Sequence, residues 1–159
     1  MYKIKIVAVG KIKERPLGDM IGEYVKRLKK YCTIDIIEVA DESVSARESD
    51  AGIRRSQLVE AGRILERRLA GGYAIALDMG GQSTNSIEFS QKLNYLADHY
   101  PEIVFFIGGS HGLHQDVLTR ADNIWSMSEL TFPHQLARLI LVEQIYRAFK
   151  IINNETYHK

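Results

Sequence analysis

The chain has 159 residues, 45% hydrophobic and 26% charged, which suits one globular domain with enough apolar side chains to fill a core between a sheet and helices. Its 21 Lys+Arg against 20 Asp+Glu leave a formal net charge of +1, so no overall basic field marks a nucleic-acid binder, and any such contact rests on local patches. The single cysteine, Cys32, excludes an intrachain disulfide, no repeated Cys/His spacing suggests a metal site, and no apolar run approaches membrane-spanning length; a cytoplasmic protein with no metal and no membrane partner is expected.

The amino terminus, Met1-Tyr2-Lys3-Ile4-Lys5, alternates apolar and charged residues as a strand does and lacks the unbroken apolar core of a signal peptide. Strand-like runs at Ile4–Val9, Ile34–Val39, Tyr73–Leu77, Ile103–Ile107 and Ile124–Trp125 alternate with helical patterns, which predicts an α/β fold with a mainly parallel sheet flanked by helices. Leu17, Met20, Ile21, Tyr24, Val25 and Leu28 keep helical spacing and end in a basic, exposed stretch of Lys26, Arg27, Lys29 and Lys30. Polar Ala40–Asp50 reads as a mobile surface connection. A helix over Ile53–Leu69 is expected to bury Leu58, Ala61, Leu65 and Leu69 on one face and to stop at Gly71-Gly72. Asn85 is placed to cap a third helix, with Glu88 completing a capping box and Phe89, Leu93 and Leu96 on the buried stripe. Leu136–Ile152 is apolar around much of its circumference, at Leu139, Ile140, Leu141, Val142, Ile145, Tyr146, Phe149 and Ile151. Such a helix needs cover on more than one side, from the sheet plus another element or from a second subunit.

Two backbone-rich loops carry the chemistry. Gly108-Gly109-Ser110-His111-Gly112 follows the strand Ile103–Ile107, and Met127–His134 runs into the last helix. The first loop spells G-x-S-x-G, the nucleophile elbow of serine hydrolases, and Asp122 or Glu129 with His134 or His158 keeps the chain order of a triad. Against a hydrolase stand the short chain and the loop Gly10-Lys11-Ile12-Lys13, which has no glycine cluster for an oxyanion hole. A dinucleotide site would use Glu129 on the ribose, but Ser110 stands where the second glycine of G-x-G-x-x-G belongs, and there is no phosphate loop of the G-x-x-x-x-G-K-[ST] type. A small-molecule site in which glycine lets a ligand lie against the backbone is the better reading.

The segment Phe105-Phe106-Ile107-Gly108-Gly109-Ser110-His111-Gly112-Leu113, paired with Trp125-Ser126-Met127-Ser128-Glu129-Leu130-Thr131-Phe132-Pro133-His134, resembles the bacterial large-subunit ribosomal RNA methyltransferase H family of the SPOUT superfamily. The likeness begins at Val7-Ala8-Val9-Gly10-Lys11 and extends through Glu143-Gln144-Ile145-Tyr146-Arg147-Ala148 to Tyr157-His158-Lys159, so it covers nearly the whole chain. The resemblance implies a single SPOUT domain over residues 1–159, a C-terminal trefoil knot and a homodimer. It also implies methyl transfer from S-adenosyl-L-methionine to N3 of a pseudouridine in a stem-loop of large-subunit (23S) rRNA, on the assembled ribosome. The implied cofactor contacts are Leu77, Asp78, Gly108, Gly109, Met127, Ser128, Glu129, Leu130, Thr131 and Phe132. Leu77, Leu130 and Phe132 can wall an apolar slot and Asp78 can meet a ribose hydroxyl, although strand-end packing and a turn at Asp78 would use the same residues.

Methylating an imide nitrogen requires loss of its proton and stabilisation of the developing anion. The candidate catalytic residues are His134, Arg138, Arg147 and His158. His134 and Arg138, four apart on a helix, share a face, whereas Arg147 points roughly the opposite way, so one face can serve the chain's own pocket and the other a site across a dimer. Plainer roles are a Glu143–Arg147 pair, a helix cap at His134 and a solvated tail at His158. The family pattern often ends in Tyr-His-Arg where this chain has Tyr157-His158-Lys159, and lysine cannot reproduce a bidentate guanidinium contact. Lys26–Lys30, Arg54-Arg55 and Arg63/Arg67/Arg68 are the patches available for RNA, and each also suits a solvated helix face.

Overall fold

The computed structural model describes residues 1–45 and 47–159. Strands β1 (Tyr2–Val9), β2 (Cys32–Val39), β3 (Tyr73–Ser83), β4 (Ile103–Ile107) and β5 (Asn123–Ser126) alternate with helices α1 (Arg15–Leu28), α2 (Asp50–Leu65), α3 (Ser86–His99), α4 (Gln115–Arg120) and α5 (His134–Ile152). All strand pairs are parallel, in the order β2-β1-β4-β3-β5. The expected α/β class and mainly parallel sheet are therefore present, and every strand delivers its carboxyl end to the same edge.

Both faces of the sheet are covered, which is why β1 turns from alternating to continuously apolar at Ile6-Val7-Ala8-Val9. Ile4, Ile6, Ala8, Phe105 and Ile107 pack on one side with α1, α3 and α5. Val7, Val9, Val104 and Phe106 pack on the other with Ala61 and Ile64 of α2 and Val117 of α4. Each such large side chain taken out of water contributes roughly 1.5–3 kcal/mol, so the strand alternation fixes which helix layer each residue serves.

Local chemistry sets the helix ends. Asn85 caps α3 by accepting from the Glu88 N–H at 2.9 Å. Only half of the predicted box closes, because the Glu88 carboxylate accepts from the Thr84 hydroxyl at 3.4 Å. Helix α2 corrects the sequence expectation: it runs from Asp50 to Leu65, buries Gly52, Glu60, Ala61 and Ile64, and leaves Leu58 and Leu69 exposed. Polar ties turn that face inward. Glu60 accepts from the Glu42 N–H at 3.0 Å, and Arg63 donates to the Ala40 carbonyl at 2.8 Å while pairing with the Glu42 carboxylate. Gly71, at φ +79°, serves the turn into β3 and not the end of α2.

Much of the cover for the greasy α5 is intrachain. Leu141, Val142, Ile145, Ala148 and Phe149 are buried against the sheet, α1 and α3, and Tyr31 stacks on Phe149 with centroids 5.6 Å apart. Arg138 is 1% exposed on the same helix. Its guanidinium donates to the Gly10 carbonyl at 2.9 Å and to the Glu38 carboxylate at 3.1 Å, tying α5 to the ends of β1 and β2. Its Nε has no partner and is the one such buried side-chain atom among the described residues. Glu38 is 39% exposed and stays hydrated without its partner, so the loss falls on the Gly10 carbonyl and the tie to β1, and Arg138→Met should cost roughly 1–3 kcal/mol. The expected signature is a lower urea midpoint at unchanged slope, and a midpoint equal to that of the wild type would show that the tie holds nothing.

Candidate active site

A cleft of about 780 Å³ opens at the carboxyl edge of the sheet, where the ends of β3, β4 and β5 meet the start of α5. Its shape follows from a break in one strand. β3 pairs with β5 at Leu77↔Trp125 and again at Gln82↔Trp125, so the four residues from Asp78 to Gly81 loop out of register. Gly81 returns so close to β5 that a Cβ there would lie 2.6 Å from the Ile124 carbonyl. Gly108 makes a second such contact, since its Cβ would lie 2.5 Å from the Gly112 carbonyl carbon. Gly112, at φ +77°, reverses the chain and donates its N–H to the Gly109 carbonyl at 3.0 Å. From behind, Gln57 of α2 donates to the His111 carbonyl at 2.6 Å and holds the loop against the helix.

The facing loop is tied by its own serines. Ser126 donates to the Ser128 carbonyl at 3.0 Å, and the Ser128 hydroxyl accepts from the Leu130 N–H at 2.9 Å. Leu130 is left 72% exposed at the rim, and the Thr131 hydroxyl lies 3.3 Å from the Met79 sulfur across the cleft. A smaller apolar recess of about 430 Å³ adjoins it, sharing Leu77, Ser126, Met127, Ser128 and Phe132 and floored by Phe89, Trp125 and Leu141.

Of the residues predicted to bind a cofactor, Leu77, Asp78, Gly108, Gly109, Met127, Ser128, Leu130, Thr131 and Phe132 line this cleft, while Glu129 is exposed and does not. One Asp78 oxygen accepts from the Gly80 N–H at 2.9 Å, so that carboxylate also serves the loop-out. Gly112 and Pro133, from the two loops the sequence marks, line the cleft as well, and so does Met79, which lies outside both loops. The signal for Met79 was present: Asp78-Met79-Gly80-Gly81 breaks an apolar strand that then resumes.

The four catalytic candidates separate into two places. His134 lines the cleft at the first turn of α5 and caps nothing, since Pro133 precedes the helix without a side-chain bond. Arg138, one turn on, directs its guanidinium to Gly10 and Glu38. Arg147 lies about 20 Å further along the helix axis than His134. There it donates to Glu143 at 2.6 Å, sits 4.8 Å over the Tyr157 ring and has the His158 Nδ1 3.4 Å away. The plainer Glu143–Arg147 pair is thus formed. The Tyr157 hydroxyl also donates to Glu143, at 3.1 Å, and its ring meets Tyr146 edge-on, so the tail is docked on α5. Burial, with Tyr24 and Glu143 nearby, pushes the Tyr157 hydroxyl pKa upward.

The G-x-S-x-G reading does not survive the geometry. Positive φ falls on Gly112 and not on Ser110, and among the described residues Ser110 makes no hydrogen bond to an imidazole. Asp122 sits before β5, at the opposite edge of the parallel sheet, where it accepts from Arg68 at 2.7 Å. Ser110 and His134 share the cleft, but among the described residues no hydrogen bonds link a serine, an imidazole and a carboxylate into a triad.

His134 is held neutral more firmly than a free histidine. Burial lowers its pKa first and the Arg138 charge adds to the shift, against a smaller opposing pull from Asp41. Its ring can therefore accept a proton or hydrogen bond at neutral pH. An NMR titration should place its midpoint below the usual 6.5. Because the unfolded chain would take that proton more readily, His134 should cost stability only as the pH falls below about 6.5. A midpoint at or above that value would remove the basis for a neutral acceptor.

Residues 2–158 match the family model described as "Predicted SPOUT methyltransferase". The protein named ribosomal RNA large subunit methyltransferase H from Ruminiclostridium cellulolyticum is 49% identical over 158 residues, covering 99% of each chain. Its namesake from Acetivibrio thermocellus is 44% identical over the same length and coverage. The structure of a probable methylase family protein from Haemophilus influenzae Rd KW20 aligns with a TM-score of 0.59 over 99% of this chain and 71% of that one, at 14% identity, a likeness of fold. With the glycine-lined cleft at the sheet edge and two such full-length relatives, the serine-hydrolase alternative falls away, and the chain belongs to the SPOUT methyltransferase family, alongside the proteins named ribosomal RNA large subunit methyltransferase H.

Proposed function

We propose that this methyltransferase uses S-adenosyl-L-methionine to methylate N3 of a pseudouridine in 23S rRNA on the assembled ribosome, acting in the cytoplasm as a homodimer of single-domain chains. The carrying observation is the Gly108-Gly109 backbone, which lines the cleft and packs so closely on Gly112 and Val9 that a side chain at either position would displace it, set against the apolar walls of Leu77, Leu130 and Phe132. Those residues suit an adenine ring with polar edges, and Asp78 offers a carboxylate for a ribose hydroxyl. When bound, the cofactor supplies an electrophilic methyl group. The chain's own residues orient it, exclude water and, through neutral His134, offer an acceptor beside the cleft. Membership of the SPOUT family supports reading the C-terminal segment as threaded into a trefoil knot.

A composite site explains the division along α5. Arg147 and His158 cannot reach the cleft of their own chain, but a second copy can bring them to it, where the Arg147 charge would stabilise the imide anion. Leu136, Leu139, Ile140 and Tyr146 keep part of their apolar surface exposed on α5 and give the second copy something to cover.

Gly109→Val would press on Val9, whose Cγ1 would lie 3.1 Å from a Cβ at that position. By calorimetry it should weaken S-adenosyl-L-methionine binding by about tenfold or more, while NAD and ATP bind neither protein; unchanged affinity would remove Gly109 from the cofactor site. Co-expressing Gly109→Val with Arg147→Ala chains tests the composite site. Half of the dimers are then mixed and each has one intact site of two, so methylation of ribosomes should return to about a quarter of the wild-type level. No recovery would place Arg147 in the same site as its own Gly109, and full activity of Arg147→Ala chains alone would put Arg147 outside catalysis.

A further inference from the structure

Helix α5 ends in a turn that sends the tail back over the helix. The Asn154 N–H donates to the Ile151 carbonyl at 3.0 Å and the Glu155 N–H to the Lys150 carbonyl at 2.8 Å, the paired bonds of a Schellman motif, with Asn154 at φ +53° in the position glycine usually fills. The turn aims the Glu155 side chain at three donors from two elements. Its carboxylate accepts from the Tyr31 hydroxyl at 2.8 Å and from Lys30 at 3.2 Å, and it pairs with Lys150. Two residues later Tyr157 reaches Glu143 and Tyr146, and His158 reaches Arg147.

We propose that Glu155 is a positioning residue for methyl transfer: its clamp on Lys30, Tyr31 and Lys150 orders the tail so that Tyr157 and His158 are presented in one arrangement to the target nucleotide. The proposal rests on the tail having the role in the composite site given above. A single exposed ion pair would contribute little, but three convergent donors form a network around one carboxylate. Tyr31 is itself fixed by its stack on Phe149, so the anchor is referred to the buried core. The bond from Lys150, followed by those from Tyr31 and Lys30, holds the carboxyl pKa down at about 2. The folded-state value lies below the unfolded one, so the clamp is fully charged above about pH 4.5 and loosens only as the pH falls toward 2. It is a constant anchor across the working range.

Glu155→Gln and the independent variant Lys30→Met, at a side chain 67% exposed, test this with ribosomes as substrate. The expected result is a fall in kcat/KM of about tenfold for Glu155→Gln, with cofactor affinity and Tm nearly unchanged and with partial recovery in Glu155→Asp. Heteronuclear NOEs of the Thr156, Tyr157 and His158 amides should drop together with the rate, and Lys30→Met should move both in the same direction by less. A normal rate in Glu155→Gln, a lost rate with the tail still ordered, or a loss that tracks Tm and cofactor affinity would each overturn the proposal. Deleting Tyr157–Lys159 separates it from the tail's role. If the deletion methylates at the wild-type rate, the tail has no part in the reaction; if the deletion is inactive while Glu155→Gln is normal, the tail acts without this anchor.

Discussion

The cleft depends on two places where no side chain fits. At Gly81 and Gly108 one backbone segment lies directly on another, and any Cβ would sit about as close to a carbonyl as a bonded neighbour's neighbour does. Protein interiors do not absorb such overlap without moving the chain. Gly81 brings the looped-out part of β3 back onto β5, while Gly108 folds the β4 loop onto itself. Both contacts act at the carboxyl edge of a parallel sheet, where the strands stop hydrogen bonding to each other and leave backbone groups for a ligand. The sheet supplies the edge, and the two glycines turn it into a cradle.

Helix α5 transmits that arrangement to the rest of the molecule. Its first turn, at His134, forms a wall of the cleft; its middle is pinned by Arg138 to β1 and β2; its last turns carry the tail. An arginine buried for packing and an arginine held at the surface by Glu143 thus lie on one rod, and the chemistry expected of four residues is distributed over its length. A rigid rod with a half-site at each end is well matched to a dimer, because a twofold axis can bring the far end of one copy to the near end of the other without bending either.

Much of this was legible in the sequence. The strands showed as apolar runs, and Asn85, Phe89, Leu93 and Leu96 marked α3 because capping and stripe agreed. The two loops were visible because glycine and polar residues interrupt that periodicity. The failures have one cause, tertiary polar contacts. The stripe of Leu58, Leu65 and Leu69 misled because Glu60 and Arg63 set the rotation of α2 through Glu42 and Ala40, which no spacing rule encodes. The partners of Arg138, Gly10 and Glu38, were not legible either, because they are far away in the chain. The docking of the tail on α5 was not legible because the αL turn at Asn154 carries no glycine, and that turn brings Tyr157 onto Tyr146.

The same ion pairs decide which cations are left for a phosphate backbone. Arg63, Arg68, Arg138, Arg147 and Lys150 are all engaged with carboxylates, so the count of basic residues overstates the field available outside. Exposed Lys26 on α1, Lys29 just past its end, and Arg54 and Arg55 on α2 form no ion pair among the described residues. The two patches lie on opposite helix layers, and only the α1 patch adjoins the tail, through the contact of Lys30 with Glu155. A nucleotide met by Tyr157 and His158 would therefore have its neighbouring phosphates over α1. Under the proposed function, a patch of Lys26 and Lys29 with Lys159 of the tail beside it would release few counterions, which would give weak, salt-sensitive affinity for free RNA. Such a surface would, under that function, draw its discrimination from an RNA already folded in place, the cleft and the anchored tail selecting a shape that the assembled ribosome presents and a free strand does not.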